Sequence, residues 1–90
     1  MKRILVSIAL SPEGMSTIKA TPELQIGEAE FINRWKDEGI LESFFIIADW
    51  IGAFLIFNNV DGDRTKGLIG GLPYFQYMSK VDCFLLDKQF

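Results

Sequence analysis

Glu28 is the residue of this sequence best placed to do chemistry. Leu24, Phe31, Ile32 and Trp35 recur at helical spacing and define an apolar stripe. At about 100° per residue, Glu28 falls close to the centre of that stripe. Carboxylates are almost never buried without a partner, so two arrangements compete. In the first, Glu28 lies at the stripe's edge or pairs with Arg3 or a lysine, and is structural. In the second, it faces a pocket between helix and sheet, with Phe31 and Trp35 nearby. Loss of water there raises its pKa toward that of a useful general base. Moving a proton beside a carbonyl needs one such base and one donor for the enolate oxygen. Tyr74 and Tyr77 carry phenols that could donate, although packing at a subunit contact accounts for them equally well. Phe44, on a strand beside the helix, completes the candidate wall of the pocket.

The composition narrows the remaining chemistry. The 90 residues contain no histidine. The commonest general base, the commonest metal ligand and every Ser/Cys–His nucleophile are therefore missing. No dense carboxylate cluster and no glycine-rich phosphate motif is present, so neither a metal nor a cofactor is expected. The net charge is −3, with nine basic residues scattered along the chain. Nucleic acid is not an expected partner, because phosphate binding needs clustered Lys and Arg. A single cysteine, Cys83, excludes a disulfide framework and suggests a reducing, cytoplasmic setting. Cys83 itself reads as inert packing.

The elements that must position Glu28 can be read in order. Lys2–Leu10 alternates as a first strand, and its apolar run is too short for a signal peptide or a membrane span. Residues 11–20, with Ser-Pro, Gly and Ser-Thr, read as a loop. Thr21-Pro22-Glu23 starts a helix that runs to about Glu38 and ends at Gly39. Leu41–Ala48 and Ile51–Phe57 form a hairpin around Asp49-Trp50, where the large Trp50 ring could meet a ligand or another subunit. Asp63 caps a short, glycine-rich second helix that Pro73 stops. Val81–Asp87 is the last strand.

This order, β-α-β-β-α-β, predicts one ferredoxin-like α+β domain over residues 1–90. A four-stranded antiparallel sheet carries both helices on one face. Every strand bears apolar residues on both sides, and 49% of the chain is hydrophobic. Two helices can cover only one side. A second copy is expected to cover the other, giving a homodimer, or a multiple of it, built as a dimeric α/β barrel.

The segment Leu72-Pro73-Tyr74-Phe75-Gln76-Tyr77-Met78, lying between a short helix and the last strand, resembles the muconolactone Δ-isomerase family. The likeness runs from about Leu24 to Leu86 and includes Glu28, Gly39, Ile56-Phe57 and Leu68. It implies a ferredoxin-like dimeric α/β barrel and proton-transfer chemistry without a cofactor. It also adds weight to Glu28 as the acid that the family places there. The family's second strand carries Arg and His residues for a carboxylated lactone. Here that strand reads Glu42-Ser43-Phe44-Phe45-Ile46-Ile47. The implied ligand is therefore a small apolar carbonyl or lactone compound, handled by a diverged member; a non-catalytic binding or assembly protein of the dimeric α/β-barrel type is the alternative.

Overall fold

The computed structural model describes residues 2–49 and 51–90. Trp50 lies outside the described residues. The element order is β1 (Lys2–Leu10), α1 (Pro12–Ala20), α2 (Pro22–Asp37), β2 (Leu41–Ile46), β3 (Gly52–Phe57), α3 (Gly62–Gly70) and β4 (Met78–Asp87). A 3₁₀ turn, Phe75–Tyr77, precedes β4. The sheet order is β2-β3-β1-β4, all antiparallel, which is the ferredoxin-like arrangement. No helix among the described residues is long and apolar enough to cross a membrane.

The expected loop at residues 11–20 is a helix. Ser11 caps it by accepting from the Gly14 N–H at 3.0 Å, and Pro12 occupies the first turn. Ser-Pro here opens a helix, because proline's missing N–H and fixed φ suit the first helical position. Gly14 has a steric reason to be glycine: a Cβ there would stand 2.6 Å from the Tyr77 Cβ. The Ser11 N–H also donates to the Tyr77 carbonyl at 3.0 Å, so the aromatic segment before β4 is seated on the start of α1. Gly14→Ala is expected to cost roughly 1–3 kcal/mol through overpacking. A chemical-denaturation midpoint unchanged from wild type would contradict that seating.

Helix α2 ends as its sequence predicts. Gly39 has φ +78°, and its N–H donates to the Lys36 carbonyl while the Ile40 N–H donates to that of Trp35, both at 3.1 Å. This paired C-terminal closure needs a left-handed residue, which glycine supplies most cheaply. Helix α3 is capped by Asp61 rather than Asp63: the Asp61 carboxylate accepts from the Arg64 N–H at 2.7 Å. Among the strands, β4 begins earlier than expected, at Met78.

The core lies between the sheet and the helices. Ile4, Val6 and Ile8 of β1, Leu55 and Phe57 of β3, Trp35 and Ile69 are all buried. Each such side chain contributes on the order of 1.5–3 kcal/mol by leaving water. On the opposite face the sheet stays bare. Cross-strand partners there run Phe45–Phe54–Ser7–Asp82 and Ser43–Ile56–Leu5–Phe84. Phe45 is 58% exposed and Phe84 is 51% exposed.

Strand β2 corrects the expected face assignment. Strict alternation puts Leu41 with Ser43 and Phe45. The register instead shifts between Leu41 and Ser43, so Leu41 opposes Phe57 and Phe44 opposes Leu55. The extra residue of this irregularity turns Phe44 and Ile46 toward the helices and Phe45 away from them.

Candidate functional site

A pocket of about 230 Å³ opens between the helices and the sheet, at the end where the β2–β3 hairpin turns. Its walls come from Ile8, Met15, Ile32, Phe44, Ala53 and Leu72, among others. Phe44 and Ile46 remain about two-fifths exposed here, at 42% and 43%, because β2 is an edge strand and the pocket lies open beside it. An apolar cavity of about 150 Å³ accepts a benzene ring. This pocket therefore has room for one six-membered ring with substituents.

Glu28 lies in the wall of this pocket. Its position follows from a close approach of backbone segments. A Cβ on Gly27 would meet the Pro73 ring at 3.3 Å, so glycine lets the Leu72–Pro73 turn settle against α2. That brings the Tyr74 N–H to Glu28 Oε1, at 3.1 Å. Neither Arg3 nor a lysine pairs with Glu28 among the described residues; Arg3 Nε instead donates to Glu42 Oε2 at 2.5 Å.

Burial raises the Glu28 carboxyl to about 7, and the Tyr74 N–H pulls only weakly the other way. An apolar wall disfavours the carboxylate more than one neutral donor can favour it. The Tyr74 phenol is likewise raised, first by burial and then by the nearby Glu28 charge, so it remains a proton donor at neutral pH.

The Glu28 shift has a consequence for stability. The folded chain holds the proton more tightly than the unfolded chain, whose carboxyl titrates near 4.5. The associated stabilisation is complete below that value and is lost as pH rises through about 7. Glu28→Gln keeps an acceptor for Tyr74 and carries no such proton. It is expected to match wild type relatively better as pH rises, gaining roughly 1–2 kcal/mol between pH ~4.5 and ~9 after allowance for solvent around the carboxyl. Thermal melts across that range check this, and a constant difference between the two proteins contradicts it.

The six sequence candidates are divided by the structure. Glu28, Phe44 and Tyr74 share the pocket, whereas Phe31, Trp35 and Tyr77 do not line it. Trp35 is 3% exposed and packs edge-on against Phe57 at 5.5 Å and Phe31 at 6.1 Å, within the core beneath the second half of α2. Phe31 also carries the Arg34 guanidinium over its ring at 5.1 Å. The apolar stripe of α2 is longer than the pocket, so only Ile32, one turn from Glu28, reaches it. Tyr77 is used up against Gly14. Phe75, in the same segment, is 46% exposed in the single chain.

Sequence reasoning missed Met15, Ile18 and Lys19, which α1 contributes, together with Gln25. The Gln25 side-chain amide donates to the Ile18 carbonyl at 3.0 Å and ties the end of α1 to α2. The Ser11-Pro12 start was the available signal.

No family model matches the sequence, and no curated protein matches it. Solved structures do match. One is 5-chloro-2-hydroxyhydroquinone dehydrochlorinase from Burkholderia phenoliruptrix AC1100, in complex with 2,5-dihydroxybenzoquinone. It superposes with a TM-score of 0.75 over 91% of this chain and 90% of that one, at 11% sequence identity. The two chains share a fold. That likeness supports the ferredoxin-like fold expected from the sequence.

Proposed function

We propose that this chain is a cofactor-free isomerase or cyclase, acting by proton transfer on a small carbonyl or lactone ring. One observation carries the reading: a carboxyl raised to about 7 stands in the wall of an apolar pocket of single-ring size. Near neutral pH such a group is ionised often enough to take a proton and basic enough to attract one. Glu28 removes a proton from the carbon beside the carbonyl. The charge moves to the carbonyl oxygen, which the Tyr74 phenol hydrogen-bonds as an enolate. The acid form of Glu28 then returns the proton at the γ-carbon. The double bond has moved, and the base is regenerated. The fold neighbour binds a ring of this size bearing two carbonyls, 2,5-dihydroxybenzoquinone, which supports a compact carbonyl ring here.

The working unit in this reading is a homodimer or a ring built from dimers. The bare sheet face supports it, with Phe45, Phe54, Leu5 and Phe84 on one surface and the Arg3–Glu42 and Lys80–Asp82 pairs flanking it. An apolar centre inside a polar rim is the usual anatomy of a stable interface.

α-Angelica lactone is a suitable probe, because its β,γ double bond moves into conjugation by this proton transfer and absorbance follows the change. Its isomerisation should be accelerated, with kcat/KM rising through a pKa of about 7. If the lactone neither binds nor turns over at millimolar concentration, the pocket is a packing defect rather than a site.

A further inference from the structure

The wall of the pocket also holds a lysine. Lys19, from the last turn of α1, lies in the same wall as Glu28 of α2. The two do not form an ion pair, and among the described residues Lys19 is in no ion pair with any carboxylate. The Glu28 carboxyl is displaced by burial and by the Tyr74 N–H, with no contribution from a cation. Lys19 and Glu28 thus share the pocket wall without pairing with each other. The Gln25 amide, clamped to the Ile18 carbonyl, fixes the turn of α1 that carries Lys19.

Building on the proton-transfer reading, we infer that Lys19 recognises a second, acidic oxygen on the ligand: a ring enol or phenol bound as its oxyanion. The carbonyl end lies toward Glu28 and Tyr74, and the oxyanion end lies toward α1. The remaining wall is apolar, with Ile8, Leu10, Ile18, Ile46 and Leu55 among its residues. Such a wall cannot compensate an anion, so the single lysine decides whether an ionised ring is accepted. A hydrogen bond between an ammonium and an oxyanion is stronger than a neutral one. The substrate class becomes a hydroxylated cyclic enone or quinone-like ring rather than a plain ketone.

The test uses 4-nitrophenol, a single ring whose colour reports its ionisation, titrated into the full-length protein. Wild type should bind the phenolate in preference to the phenol and lower the apparent pKa of the bound dye. Lys19→Met should weaken phenolate binding roughly tenfold or more and abolish that preference. Lys19→Arg should restore most of it. Lys19 is exposed on α1, so both variants should fold, and circular dichroism verifies this. If the dye binds wild type and Lys19→Met with the same affinity and the same spectrum, the Lys19 assignment is overturned while the pocket stands. If the dye binds neither protein and the lactone is not turned over, both the pocket reading and this inference fall. If the lactone reacts but the dye is excluded, the inference alone falls.

Discussion

Glu28→Gln is expected to stop isomerisation of α-angelica lactone, lowering kcat by roughly 10²–10⁴-fold, the usual contribution of a positioned acid–base group. KM should change little. The amide keeps the shape of the carboxyl and can still accept the Tyr74 N–H that holds Glu28 in place at 3.1 Å. It cannot take a proton from carbon. Loss of kcat at constant KM marks a group used in the transition state rather than in ground-state binding. A variant that retains wild-type turnover on the lactone would move the base elsewhere. No other carboxylate lies in the wall of this pocket.

Phe54→Asp is expected to convert the assembly to monomers, weakening self-association by at least about 100-fold. Phe54 sits on β3, on the bare face, between Phe45 of β2 and Ser7 of β1. It is 36% exposed in the single chain. A carboxylate there still reaches water in the folded monomer, and circular dichroism verifies that the variant folds. In a face-to-face pair of sheets it would be desolvated without a cation opposite it, once in each copy. Light scattering on wild type and variant gives the result directly. A wild-type protein that remains a 10.2 kDa monomer at micromolar concentration would remove the interface. So would a variant that assembles as well as wild type.

Much of the scaffold was legible because its signals are local. The alternation of β1, the Thr21-Pro22 start and Gly39 end of α2, and the helix stop at Pro73 each state a backbone requirement within a few residues. What was misread depended on one local ambiguity or on long-range geometry. Residues 11–20 hold Gly14, Ser16 and Thr17, poor helix formers in isolation. Their helix is secured by Ser11 and by Tyr77, which comes 63 positions after Gly14 and leaves no room there for a side chain. The register shift after Leu41 adds one residue to a period-2 pattern, and only pairing with β3 reveals it.

The candidate site was legible in part for the same reasons. Glu28 could be placed by helical angle alone, and Tyr74 by its position just beyond a helix-stopping proline. Phe31 and Trp35 share the stripe but fill the core, because the sequence shows which face is buried and not where along that face space remains. Lys19 was hidden with the helix that carries it.

The central claim is that Glu28 is a desolvated base and not a structural ion. Its side-chain carboxyl can be titrated directly by carbon-detected NMR, with Glu28→Gln identifying the resonance. A midpoint near 7 is expected. A midpoint at or below 4.5, the value of a carboxyl left in water, would contradict it and return Glu28 to an ordinary role in the fold.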